Sequence, residues 1–163
     1  MDDYKVYLAN LGKYNEGELV GAWFSFPLDE EEIKEKLGLN EHYEEYAVHD
    51  YEFPIKLPEY ISIDELNDMY EKIEELPAHI VENLEEFVSY FGSLEEIDEE
   101  KVVLYEDCSS MEDVACYRVD ELEEFGSLDE KILCYFNYEA YARDLEVDGY
   151  WIETSYGMCE IKS

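Results

Sequence analysis

Forty-five carboxylates against eleven Lys and Arg leave this 163-residue chain with a formal net charge of −34 at pH 7, an imbalance that limits what it can fold into. Like charges repel in any compact state. A chain this acidic therefore stays disordered unless buried apolar surface offsets both the repulsion and the conformational entropy of folding. Here 47% of the residues are hydrophobic and 15% aromatic, with sixteen Tyr and seven Phe, so a folded chain is expected. The length suits one large domain or two to three small modules. Solubility alone needs a net charge of only roughly 2–8 for a small domain. A salt-adapted surface is also acidic, but Glu outnumbers Asp by 32 to 13 and large aromatics abound, a poor match to that class. The field itself is the useful property: it repels nucleic acid and attracts basic surfaces.

The spacing of apolar residues predicts an α+β chain of three small modules. In residues 1–60, Tyr4 to Asn10 and Leu19 to Phe26 read as strands around the turn-forming Asn15-Glu16-Gly17, as in a hairpin. A short helix follows, with Asp29 and Glu32 at capping-box spacing and Gly38 at its end, and Glu44 to Phe53 returns as a third strand. Residues 61–100 read as all-helical. Ser62 and Glu65 form a capping box before Ile63, Leu66, Met69, Tyr70 and Ile73. Ile80 to Phe91 repeats the helical pattern, and Ser93 with Glu96 starts a shorter helix. Residues 101–163 are mixed: a strand at Val102 to Tyr105, then a helix with a stripe of Met111, Val114, Ala115, Val119 and Leu122, broken at Gly126. Asn137 caps a last helix, and Tyr150 to Glu153 pairs with Cys159 to Lys162 around Tyr156-Gly157.

The carboxylates are not spread evenly. Residues 61–100 hold fourteen of them against Lys72 alone. On the first helix there, Asp64, Asp68, Glu71 and Glu75 step by four, three and four, a row beside the apolar stripe with neighbours about 5–6 Å apart. Duplex DNA carries one charge per roughly 1.7 Å of axis, so one row is too sparse to imitate it. Several rows side by side approach that density. They include Glu82, Glu85 and Glu86; Glu95, Glu96 and Glu99; Glu112, Asp113, Asp120, Glu121, Glu123 and Glu124. Asp29, Glu32, Glu44, Glu45, Asp129 and Glu130 extend the same candidate acidic surface for a partner. The full charge corresponds to about 58 Å of duplex, longer than a sphere about 40 Å across built from this many residues. An elongated molecule is expected on that ground.

Little else in the sequence carries chemistry. His42, His49 and His79 are the only histidines, and on a regular strand His49 and Asp50 point to opposite faces, which argues against a dyad. No G-x-S-x-G, phosphate-binding glycine loop, H-E-x-x-H or EF-hand pattern is present. Acid-x-Lys triplets such as Glu32-Ile33-Lys34 and Glu99-Glu100-Lys101 are expected by chance among 45 acids. Cys108, Cys116, Cys134 and Cys159 lack zinc spacing and read as reduced, mostly buried thiols. No catalytic residue, cofactor or metal is expected. With no basic-then-apolar leader and no run of eighteen apolar residues, the reading is a soluble cytoplasmic protein without a membrane partner.

Val6-Tyr7-Leu8-Ala9-Asn10, Gly21-Ala22-Trp23 and Glu44-Glu45-Tyr46-Ala47-Val48-His49-Asp50-Tyr51-Glu52 resemble the ArdA family of antirestriction proteins. Asn137-Tyr138-Glu139-Ala140-Tyr141-Ala142-Arg143-Asp144-Leu145 and Gly149-Tyr150-Trp151 resemble its C-terminal part. The resemblance implies an inhibitor of type I restriction-modification enzymes, encoded on mobile genetic elements, dimeric, and charged like B-form DNA. It also places an antirestriction motif around Gly126 to Ala140, with Leu128, Asp129, Glu130 and Leu133 inside it. The expectation is thus a homodimeric DNA mimic that is not an enzyme and does not itself bind nucleic acid. From the residues alone an acidic chaperone or an immunity-type binder of a basic protein fits the charge equally well.

Overall fold

The computed structural model describes residues 3–163 and divides into two compact units, Met1–Leu76 and Pro77–Ser163. The expected central module 61–100 is split between them. Ile63 and Leu66, at the start of its first helix, pack with Val6, Leu8 and Phe24 of the first unit, and composition carries no sign of which core a helix joins.

In the first unit β1 (Lys5–Asn10), β2 (Gly21–Ser25) and β3 (Tyr46–Glu52) form an antiparallel sheet in the order β2-β1-β3. The β1–β2 pair matches the expected hairpin, but the connection is not a tight turn. A short helix α1 (Leu11–Asn15) intervenes, followed by Glu16 and by Gly17 at φ +90. Its cause is Asn10, which is fully buried. The Asn10 Oδ1 accepts from the Lys13 N–H at 3.1 Å and caps α1, while its Nδ2 donates to the Leu37 carbonyl at 2.9 Å. That carbonyl ends α2 (Glu30–Leu37), so one side chain ties two helix termini to the sheet. Asn10→Ala strips both partners and should cost about 2 kcal/mol in a urea titration; a loss below about 0.5 kcal/mol would mean that water replaces both bonds.

Asp29 starts α2 by accepting from the Glu31 and Glu32 N–H groups, and Gly38 ends it at φ +66. Glu32 does not complete a capping box but pairs with Lys36 at 2.8 Å. Ser62 and Glu65 do form the reciprocal box at the start of α3 (Ile63–Glu75), which buries Ile63, Leu66 and Ile73. β3 carries an irregularity: Tyr7 faces Asp50 and Leu8 faces Val48, leaving His49 as an extra, bulged residue. Both His49 and Asp50 are therefore exposed, in place of the strict alternation expected of a regular strand.

In the second unit β4 (Val102–Glu106), β5 (Tyr150–Thr154) and β6 (Gly157–Ile161) form an antiparallel sheet in the order β4-β6-β5. The Ile80–Phe91 stripe is not one helix. It breaks into α4 (Ala78–Val81) and α5 (Leu84–Phe91) at Glu82 and Asn83. Asn83 Nδ2 donates to the Glu153 carbonyl at 2.8 Å, and the Glu82 carboxylate accepts from the Ser155 N–H and hydroxyl. Those bonds to the β5–β6 hairpin outweigh the local helical preference. Ser93 and Glu96 likewise start no helix: one turn buries Leu94 and Ile97, and Asp98 then caps a single 3-10 turn at Glu99–Lys101.

Helix α6 (Met111–Asp120) buries Val114, Ala115 and Val119, but it stops before Leu122, which is exposed. The Leu122 N–H donates to the Tyr117 carbonyl, and Glu123 adopts φ +48, so the turn is made three residues before Gly126. A short α7 (Glu130–Leu133), not foreseen from the sequence, precedes α8 (Tyr138–Asp148), which Asn137 caps through the Ala140 N–H and which packs on α6. Cys108 and Cys159 are buried, Cys116 is half-buried and Cys134 is exposed, so the thiols are less uniformly interior than expected. Among the described residues no helix is long and apolar enough to cross a membrane.

Candidate acidic partner surface

Both units carry the charge. Residues 1–76 hold twenty-one carboxylates against six Lys and Arg, and residues 77–163 hold twenty-four against five. Burying a carboxylate without a partner is costly, and among the described residues none is buried; only Asp98 and Glu160 are even half-buried. All the candidate acids are exposed. In the first unit Asp29 and Glu32 lie at the start of α2, Glu44 and Glu45 precede β3, and Asp64, Asp68, Glu71 and Glu75 line α3. In the second, Glu82, Glu85 and Glu86 lie at the α4–α5 break, and Glu95, Glu96 and Glu99 lie on the turns before β4. Glu112, Asp113 and Asp120 lie on α6, Glu121, Glu123 and Glu124 lie beyond its end, and Asp129 and Glu130 lie at α7.

The structure separates these acids by what they touch. Asp29 and Asp129 are tied to the first turns of their own helices, and Glu32 to Lys36. Glu82 holds Ser155, Asp113 accepts from Ser109, Asp120 accepts from the Tyr138 hydroxyl, and Glu124 meets Arg118 and Tyr141. Glu44, Glu45, Asp64, Asp68, Glu71, Glu75, Glu85, Glu86, Glu95, Glu96, Glu99, Glu112, Glu121, Glu123 and Glu130 have side chains open to solvent, with no hydrogen bond or ion pair to the described residues. Among the described residues five carboxylates meet a cation within 4 Å: Glu30, Glu32, Glu52, Glu124 and Glu160. Among the described residues, no such pair involves 61–100, not even at Lys72.

A further exposed set lies outside the helical rows read from the sequence: Glu139, Asp144, Glu146 and Asp148 on α8, Glu106 at the end of β4 with Asp107 after it, and Glu16 after α1. Their only signal in the sequence is being acidic. The apolar members of the Gly126 to Ala140 stretch divide too. Leu128 and Leu133 are half-buried, whereas Ile132 and Tyr135 are exposed, Tyr135 by 90%.

Around Arg118 the surface becomes structural. Its guanidinium reaches Glu124 Oε1 at 2.5 Å and Glu160 Oε2 at 4.0 Å, and the Tyr141 hydroxyl donates to the other Glu124 oxygen. Burial pushes the Glu124 carboxyl up, but the bonds from Tyr141 and Arg118 and the Arg118 charge together hold it below its ordinary 4.5. Burial and the bond to Glu124 push the Tyr141 phenol up to about 12. A carboxylate depressed in the folded state contributes stability above its unfolded value and loses that contribution as pH falls through the folded one. The destabilisation caused by Glu124→Gln should therefore be greatest near neutral pH and fade below about pH 4.5, compared by urea titration at about pH 7 and about pH 3. A difference independent of pH would show that the carboxylate's charge contributes nothing there.

His49 meets Tyr14 edge-on at 5.0 Å, and Asp50 accepts from the Tyr51 N–H, so neither is aimed at the other. Among the described residues no group of three or more His, Cys, Asp or Glu is placed to hold a metal ion. The family model for the antirestriction protein ArdA matches residues 6–160, leaving out only the first five and last three residues. The chain belongs to the ArdA family. No curated protein matches it. In this ArdA family member the matched span takes in both sheets except Lys5 of β1 and Ile161 of β6, every described helix and all twenty-two candidate acids.

Proposed function

We propose that this ArdA family member is a DNA mimic that occupies the DNA-binding groove of type I restriction-modification enzymes, acting in the cytoplasm as a homodimer. One observation carries the reading: among the described residues nearly all the carboxylates stand in solvent without a cation, so the charge is presented outward instead of being neutralised within the fold. Self-repulsion of that size is a cost to folding, and it is offset only if the field has a use. Lys and Arg that line a DNA groove would meet carboxylates in place of phosphates. Leu122, Phe125, Ile132, Tyr135 and Val147, all exposed in the second unit, are the apolar surface offered to a second copy. Inhibition is by occupancy, and no bond is made or broken.

Competition tests it. A purified type I enzyme bound to labelled duplex DNA is titrated with the protein, and release of the DNA is followed at several salt concentrations. The expected result is mutually exclusive binding that weakens with salt. A ternary complex with both bound would reject mimicry, and equal binding to basic proteins that lack a DNA groove would point to an acidic chaperone.

A further inference from the structure

Proteins usually fix an exposed carboxylate with Lys or Arg, which cancels its charge. Among the described residues six carboxylates accept from tyrosine or serine hydroxyls, and four of them, Glu16, Glu82, Asp113 and Asp120, meet no Lys or Arg. Tyr43 donates to Glu16 at 2.9 Å, Tyr138 to Asp120 at 2.9 Å, Tyr105 to Glu160 at 3.2 Å, and Tyr141 to Glu124. Ser109 gives Asp113 both its N–H and its hydroxyl at 3.0 Å, and Ser155 does the same for Glu82. Two of these pairs are distinct in kind. Glu16 and Asp120 are exposed and meet no cation among the described residues, so the phenol is what restrains them.

A free Glu or Asp samples several rotamers and must lose them when it docks, which subtracts from affinity. A hydrogen bond to an ionised acceptor is stronger than a neutral one and restricts the side chain beforehand. A phenol can do this without adding positive charge, whereas an ammonium or guanidinium cannot. The rings are themselves held. Tyr43 packs edge-on against His42 with Lys13 above it, and Tyr138 packs on Phe136. The bonds to Glu16 and Asp120 raise the two phenols above their ordinary 10, so both remain protonated donors at neutral pH.

We propose that Tyr43 and Tyr138 are positioning residues of the acidic surface, uncharged clamps that fix Glu16 and Asp120 as phosphate surrogates while leaving their charge intact. This rests on the mimicry reading above. The test uses the full chain with Tyr43→Phe and Tyr138→Phe combined, which keeps both rings and removes only the hydroxyls. Inhibition of a purified type I enzyme on duplex DNA is measured across a salt series. The expected result is roughly three- to tenfold weaker inhibition with an unchanged slope of log affinity against log salt, because the charge count is the same. Tyr43→Lys with Tyr138→Lys restores donors but adds two charges, and should flatten that slope by about two.

Wild-type inhibition by the Phe variant, while the wild type displaces DNA normally, overturns the clamps. So does a loss that stoichiometric titration traces wholly to a smaller active fraction of unchanged affinity, since that is a folding defect. If the wild type fails to displace DNA, mimicry itself falls and the clamps fall with it.

Discussion

Exchanging ten solvent-facing carboxylates for amides, at Glu44, Glu45, Asp64, Asp68, Glu71, Glu75, Glu86, Glu95, Glu96 and Glu121, is expected to abolish inhibition and at the same time stabilise the fold. None of these side chains accepts a hydrogen bond or meets a cation among the described residues, so no local structure depends on them. Electrostatic contacts of the DNA type change the salt slope by roughly 0.9 each, and their loss at physiological salt compounds to about a thousandfold or more. A single exchange such as Glu71→Gln should cost at most a few-fold, because the field is a sum over many charges. The stability change has the opposite sign. The steps Asp64–Asp68, Asp68–Glu71 and Glu71–Glu75 on α3 are like-charge neighbours, each destabilising by about 0.2–0.5 kcal/mol at low salt. Enzyme inhibition and thermal melting, measured on the same preparations, separate the two effects. One exchange that eliminates inhibition alone, or a tenfold variant that inhibits like the wild type, would sink the distributed field.

Gly157→Ala should be the most damaging single change to the second unit. Gly157 begins β6, the middle strand of its sheet, where it is buried at φ +141 and faces Glu106 on β4 and Thr154 on β5. A Cβ there would lie 2.2 Å from the Tyr105 carbonyl oxygen, and because that atom is backbone, relief requires β4 to move. Strain and overpacking together should cost on the order of 3 kcal/mol, or about 10 °C or more in Tm for a unit of this size. Gly17→Ala is the control. Gly17 has φ +90 but nothing within 4 Å of an added Cβ, so only the conformational penalty of roughly 1 kcal/mol applies. Each unit holds one of the two tryptophans, Trp23 and Trp151, which lets fluorescence follow them separately. Equal losses for the two alanines would show that β4 yields to the added methyl at no cost.

Signals confined to a few neighbouring residues were legible. The Ser62–Glu65 capping box, Gly38 at the end of α2, Asn137 before α8 and the pairing of β5 with β6 all appear where the spacing placed them. The family followed from short runs such as Val6 to Asn10 and Glu44 to Glu52, and the model match over residues 6–160 bears it out. Elements decided at a distance were not legible. The stripe from Ile80 to Phe91 has ordinary helical periodicity, yet bonds from Glu82 and Asn83 to residues about seventy positions away divide it. The same holds for the bulge at His49, which is fixed by pairing with β1.

For the acids, the sequence by itself determined the sign of the field, its size and the exposure of the rows on the helices, because an unpaired carboxylate has nowhere to go but water. Only the tertiary structure decided which carboxylates remain free and which are held, since Tyr43 reaches Glu16 and Tyr138 reaches Asp120 across 27 and 18 positions of chain. Periodicity reports which face a residue lies on. Which neutral donor stands beside it depends on how the chain returns.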